Sequence, residues 1–284
     1  MRRRVCPQGN CDRFYAQPDS RLRPGVIGYR GFRLAGGPAR ERLVVPRGTV
    51  SLLIGFHGET HVGRHVGGRS GTSGFRHTSV ISGLHTGARV LGHHGELQGV
   101  EVTLAPWAAH RLLAGTTLGE LADGVADPAE VLGRRFRGLG EMLEAAPCWQ
   151  ERFARLDRAL LDWTFDAAPA REPSPVVLQA WEILTRTAGA VAMGEVAART
   201  GWSLRHLETR FREQIGLTPK KLARVLRLNR AMWMLSTGRR AADTALECGL
   251  YDQSHLNREF RAMTGMPPGR FLADRSQSSF WLAG

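Results

Sequence analysis

Apolar positions along the chain change their period once. Between residues 26 and 105 they come in short runs, Val26-Ile27-Gly28-Tyr29, Thr49 to Phe56, Ser79 to Leu84 and Val100 to Leu104. Glycine-rich turns such as Gly36-Gly37-Pro38 and Gly67-Gly68-Arg69-Ser70-Gly71 lie between them. Runs of this length and spacing predict strands. From Pro106 the apolar residues recur at helical intervals, first Trp107, Leu112 and Leu113, then Leu118, Leu121 and Val125. Trp149, Phe153, Leu156, Leu160 and Trp163 mark one face of a longer helix predicted over Trp149 to Trp163. Strands first and helices after make the N-terminal part, residues 1–165, an α+β domain.

The segment Asp166 to Pro175 holds three prolines in seven residues, which resist helix and central strand alike, so residues 166–175 read as an extended linker. Beyond it the pattern is helical almost throughout. Helices are expected at Val176–Ala188, Met193–Thr200, Leu204–Ile215, Pro219–Leu235, Ala241–Cys248, Gln253–Thr264 and from Pro267 onward. Thr218 before Pro219 supplies an N-cap and an N1 proline. Residues 176–274 are therefore predicted to be a compact all-α domain, with residues 275–284 as a tail.

Inside that domain the chain repeats itself. His206-Leu207, Phe211-Arg212, Gly216 and Pro219 recur as His255-Leu256, Phe260-Arg261, Gly265 and Pro268, every position shifted by the same 49 residues. Each copy follows an alanine-bearing stretch and a glycine, Ala197 to Gly201 and Ala245 to Gly249. Short helix, glycine turn and second helix is the sequence form of a helix-turn-helix. In the first unit Ala197 is expected at a close helix crossing and Gly201 in the turn, with Leu204, Leu207 and Phe211 on the buried face. Ser203 is expected at the N-cap, its hydroxyl meeting a free N–H or a phosphate. The outward face then carries Arg205, Glu208, Thr209 and Arg212. In the second unit Ala245, Leu250, Leu256 and Phe260 are the expected buried set, and Gln253, Ser254, Asn257 and Arg258 point outward. Gln and Asn pair bidentately with adenine and Arg with guanine, which suits both outward faces to a major groove.

Charge agrees with a polyanionic partner but does not localise it. The 284-residue chain carries a formal net charge of +13. Residues 176–284 hold 16 Lys and Arg against 9 acids, and the remainder 23 against 17. Only Lys220 and Lys221 are lysines, a bias read as codon composition of a GC-rich genome. Apolar runs are too short to cross a bilayer, and no apolar core follows the basic Arg2-Arg3-Arg4, so neither a membrane span nor export is expected. Cys6, Cys11, Cys148 and Cys248 are too few and scattered for a disulfide framework. Cys6 and Cys11 could bridge or bind metal, but reduced thiols in a cytoplasmic setting are the simplest expectation.

Taken with the connecting helix and the closing Gly265-Met-Pro-Pro-Gly-Arg-Phe271, the two units resemble the DNA-binding domain of the AraC/XylS family of bacterial transcription regulators. The resemblance covers residues 176 to 274. It implies base-reading positions at Arg205, Glu208 and Thr209 in the first unit and at Gln253, Ser254, Asn257 and Arg258 in the second. Glu208 only accepts hydrogen bonds; it suits a cytosine amino group, or it pairs with Arg205 or Arg212. Lys220, Lys221, Arg224 and Arg227 are either phosphate contacts or a solvated charged face. The resemblance further implies a sequence-specific regulator acting on double-stranded DNA with RNA polymerase as a protein partner; activator is the expected class, but the residues leave activation and repression both open. A small-molecule effector and a second copy of the chain are the partners it leaves open. The N-terminal part resembles more loosely a domain found on actinobacterial relatives, through Pro46–Val50, Gly83-Leu84-His85 and Gly99 to Pro106, and reads as an effector or dimerisation domain.

No catalytic, cofactor or metal site emerges from the residues. His57, His61 and His65 would share a face only in a helix, which the surrounding glycines oppose. Cys148 follows Pro147 at a helix start, yet no base can be read beside it. A DNA-repair methyltransferase needs Pro-Cys-His where this chain has Pro147-Cys148-Trp149. A protein-interaction bundle is the other rival, and the Arg, Asn and Gln on the outward faces oppose it. The chain is not expected to be an enzyme.

Overall fold

A computed structural model describes residues 1–5, 11–37, 40–66, 69–71, 76–113, 115–165 and 172–273. The N-terminal domain runs β1 (Arg2–Val5), β2 (Cys11–Ala16), β3 (Val26–Leu34), β4 (Arg40–Val44), β5 (Val50–His57), β6 (Thr60–Val66), β7 (Arg69–Gly71), β8 (Arg76–His77), β9 (Val80–Ser82), β10 (Arg89–His93) and β11 (Leu97–Leu104). It continues through α1 (Pro106–Leu112), β12 (Val125–Ala126), α2 (Pro128–Leu132), α3 (Leu139–Glu144) and α4 (Trp149–Phe165). One seven-stranded sheet has the order β1-β2-β3-β11-β5-β9-β12, and a second has β4-β10-β6-β7 with β8 beside β6. All pairings are antiparallel.

Strand alternation sorts the first sheet into two faces. Phe14, Tyr29, Val50, Leu52, Ile54, Val100, Val102 and Leu104 pack with Phe153, Leu156 and Leu160 of α4. Trp149 stacks on Phe14 at 4.4 Å, and its ring fills the place a Cβ would take at Gly31. Tyr29 Oη donates to Asp157 Oδ1 at 2.7 Å, tying α4 to the sheet. The opposite face places Phe32, Leu53, Val80 and Leu97 against Val62 of the second sheet. Layers of helix, sheet and sheet follow.

The C-terminal domain comprises α5 (Pro175–Arg186), α6 (Met193–Thr200), α7 (Leu204–Ile215), α8 (Pro219–Ser236), α9 (Ala241–Glu247), α10 (Gln253–Thr264) and α11 (Pro268–Ala273). Helix for helix this is the expected series, with ends moved by one or two residues. The strand expectations were less complete: β2, β4, β6 and β10 went unseen because arginine, histidine and glycine interrupt their apolar pattern. His57 ends β5, while His61 and His65 lie in β6. Most of the expected linker, residues 166–171, lies outside the described residues, as do the expected tail and Cys6. Cys11 is disulfide-bonded, against the expectation of reduced thiols; Cys148 and Cys248 are free.

One hydrophobic cluster crosses from domain to domain. It joins Leu113, Leu118 and Leu121 to Val177, Ile183, Leu184, Val196, Leu207, Phe211, Ile215 and Leu222. Leu118 N–H donates to the Glu213 carbonyl at 3.2 Å, and Leu118 lies against Gly216 at the end of α7. The second sheet reaches the other unit: Leu43 and the fully buried Val45 pack with Leu228, Met232, Phe260, Met263 and Phe271. His65 lies against Gly265, and Asn229 Nδ2 donates to the Arg47 carbonyl at 3.1 Å. Because the core is shared, the chain is expected to unfold in one transition. Leu118→Ala should cost about 2–5 kcal/mol of whole-chain stability. Urea unfolding followed by strand-sensitive and helix-sensitive signals checks both, and separate midpoints for the two domains would contradict the shared core.

Candidate nucleic-acid interface

The first unit, α6 to α7, is built by a buried stripe and a turn. Val196, Thr200, Leu207, Phe211 and Ile215 are all buried. Gly201 closes α6 in a left-handed conformation (φ 71°) that a Cβ would strain. Ser203 caps α7, its hydroxyl accepting from His206 N–H at 3.4 Å, the first of the two roles the sequence left open to it. Arg205, Glu208, Thr209 and Arg212 are exposed, as expected. Neither Arg205 nor Arg212 pairs with Glu208 among the described residues, so its carboxylate stands in solvent. Thr209 Oγ1 donates to the Arg205 carbonyl at 3.0 Å. Two expectations fail: Leu204 is 43% exposed, since the first residue of α7 projects past the end of α6, and the fully buried member of the α6 crossing is Val196 rather than Ala197.

The second unit, α9 to α10, repeats the plan more tightly. Ala245, Leu250, Leu256 and Phe260 are buried as expected, together with Cys248. Burial raises the Cys248 thiol above its ordinary value. Gly249 carries the left-handed turn (φ 67°). Asp252 caps α10, accepting from His255 N–H at 2.6 Å. Gln253, Ser254, Asn257 and Arg258 are exposed on the outward side. Counted by the 49-residue shift, Arg205, Glu208, Thr209 and Arg212 correspond to Ser254, Asn257, Arg258 and Arg261. The two outward faces thus occupy the same helical positions.

Between them, α8 packs against α5, α7, α9, α10 and α11. Thr218 caps it, accepting from Lys221 N–H at 3.4 Å, and Lys220 and Lys221 are exposed in its first turn. Arg224 is removed from the expected phosphate contacts: it forms a bidentate pair with Glu259 at 2.9 and 3.1 Å, which pins α8 to α10. Arg227 is half-buried on the Cys248 side of the helix.

Residues 196–274 match the family described as "Helix-turn-helix domain". The chain is 37% identical over 86 residues to an uncharacterised HTH-type transcriptional regulator, YbfI, of Bacillus subtilis, covering 30% of this chain and 31% of that protein. The C-terminal domain thus contains a helix-turn-helix domain. The chain is also 26% identical over 179 residues, 58% of each protein, to the HTH-type transcriptional activator RhaR of Klebsiella pneumoniae. It thus spans about a third of the first relative and somewhat over half of the second. Among solved structures, ToxT from Vibrio cholerae is similar at 8% identity, with 88% of this chain and 98% of that chain covered and a TM-score of 0.46.

Two exposed residues of the helix-turn-helix domain were missed. Arg261 is exposed and repeats Arg212, a correspondence the 49-residue shift already contained. Tyr251 is 88% exposed in the turn before the α10 cap, where the extra residue of the second unit is accommodated; no periodicity marks a turn residue. The Asp252 cap sets where α10 begins, so Asp252→Ala should cost about 0.5–2 kcal/mol and Asp252→Asn much less. Chemical denaturation of the three proteins reads this, and equal losses from both substitutions would remove the capping role.

Proposed function

We propose that this chain is a transcription regulator that recognises double-stranded operator DNA by inserting α7 and α10 into successive major grooves on one face of the duplex. The observation that carries the reading is the duplicated outward face: polar and basic side chains at the same helical positions of two units built on one helix. Arg205, Glu208 and Thr209 read bases from α7, with Glu208 accepting from a cytosine amino group, and Gln253, Ser254, Asn257 and Arg258 read bases from α10. Ser203, Arg212, Lys220 and Lys221 hold phosphates, and Arg261 joins them by its equivalence to Arg212. The division of labour runs along the chain, with residues 1–165 as the effector or dimerisation domain and 176–274 as the DNA-binding domain.

Activation through RNA polymerase is the direction we propose, in line with the Klebsiella relative named as an activator. The reading carries no catalytic step and sets the protein in the cytoplasm, where the operator is. A small-molecule effector or a second copy of the chain acts through the N-terminal domain, which contacts both units.

Selection of random duplexes by the full chain at physiological salt is expected to enrich two conserved blocks roughly 10–10.5 bp apart, centre to centre. Unenriched DNA bound only through salt-dependent contacts would overturn sequence-specific recognition. On the selected site, Arg258→Ala should cost about 1–3 kcal/mol and relax specificity at one base pair, while Lys221→Ala should weaken all sequences about equally. Binding isotherms on the selected and a scrambled duplex separate the two, and equal losses on both duplexes for both variants would contradict the assigned roles.

A further inference from the structure

In the first sheet, polar residues interleave with the apolar ones that face α4. Arg13 precedes Phe14, Arg30 follows Tyr29, Ser51 lies between Val50 and Leu52, and Glu101 between Val100 and Val102. The strand period of two sends all four to the opposite face, toward the second sheet. Register sets Arg30 between Tyr15 of β2 and Glu101 of β11. Arg42 of β4 enters from the second sheet, because its neighbour Leu43 packs the other way, against the C-terminal domain. Arg47, just beyond β4, is exposed, and its charge is felt by Glu101.

The charges there do not balance. Glu101 accepts from Arg30 and, at 2.7 Å, from the Ser51 hydroxyl. Burial alone would raise the Glu101 carboxyl, yet Arg30, Arg42, the Ser51 hydroxyl and Arg47 hold it down at about 2. Burial, followed by the repulsion of Arg30, pushes Arg42 down to about 9. Burial and Arg30 lower Arg13 as well. Among the described residues Arg30, Arg42 and Arg47 thus share one carboxylate, and Arg13 adds a fourth like charge beside Arg30 and Arg42. Among the described residues the buried Arg30 Nε–H has no acceptor. An unpaired buried donor and an uncompensated cluster of like charge are both costly, and an added anion relieves both.

We propose that this arginine cluster binds a small anion bearing a carboxylate or phosphate group, gripped by Arg30 and Arg42 with Arg13 and Arg47 beside them, a proposal that rests on the reading of residues 1–165 as an effector domain. The planar guanidinium fork matches either oxyanion. Side-chain exposure of only 15% at Arg30 and 22% at Glu101 leaves no face for a duplex backbone. The position has a mechanical consequence. The segment that carries Arg42 and Arg47 also inserts Val45 into the core of the second unit and receives the hydrogen bond from Asn229. An anion that draws the two arginines inward pulls on that contact.

The test needs no DNA, so its failure and that of the DNA-binding reading are distinguishable. Thermal unfolding of the full chain is followed in sodium phosphate, in sodium citrate and in sodium chloride at matched ionic strength. At least one oxyanion is expected to raise the midpoint saturably above chloride, and which one does so separates a phosphate ligand from a carboxylate. Arg42→Gln and Arg30→Gln should weaken that binding at least tenfold. Glu101→Gln, which removes the resident carboxylate, should tighten it several-fold. Should Glu101→Gln fail to fold, Arg42→Gln decides, because Arg42 belongs to neither hydrogen bond of Glu101. No midpoint rise above chloride, or the same affinity in Arg42→Gln as in the unaltered chain, overturns the site.

Discussion

The two helices proposed to read DNA, α7 and α10, depend on the burial of a single helix along its whole length. The first half of α8 gives Leu222, Ala223 and Val225 to the core that holds Leu207, Phe211 and Ile215 of the first unit. Its second half gives Leu228 and Met232 to Phe260 and Phe271, and Ala231 and Met234 to Ala245 and Leu256. At 1.5 Å per residue the helix is about 27 Å long and has no internal proline or glycine at which to bend. The Arg224–Glu259 pair adds a polar tie between α8 and α10. Spacing and rotation of α7 and α10 are therefore set by one rigid rod, and reading two grooves at once requires that rigidity.

The N-terminal domain is fastened to that frame at two places rather than hung from it. Leu118 packs beside the end of α7 and Val45 enters the core around α10. Separate domains joined by a flexible segment move independently by default, but a shared apolar core opposes such motion. Through β4 and the turn that follows it, the N-terminal domain contacts the core around α10.

The helical part of this architecture was legible in the sequence because its signals are local. Gly201, Gly249, Thr218 and the recurring Leu–Phe pairs each fix a turn, a cap or a face within a few residues of themselves. The outward faces followed from the same periodicity. What could not be read was set by contacts distant in the chain. Arg224 looked like any exposed cation until Glu259, 35 residues later, came beside it. Leu204 fits an apolar stripe by spacing, but the end of the facing helix leaves it uncovered. Strands such as β4 and β6 hide because their inward positions include Arg42 and their outward ones His61 and His65. Polar residues there are chosen for what lies across the sheet, which one strand alone does not reveal.

The central claim is that one rigid helix holds two base-reading helices in phase with the duplex. Inserting five base pairs between the two blocks of the selected site tests it most directly, since half a helical turn moves the second block to the far face. Affinity of the full chain should then fall on the order of a hundredfold, to what a single unit and phosphate contacts sustain. Unchanged affinity on the lengthened site would contradict the account, because it would mean that the two units do not read DNA together.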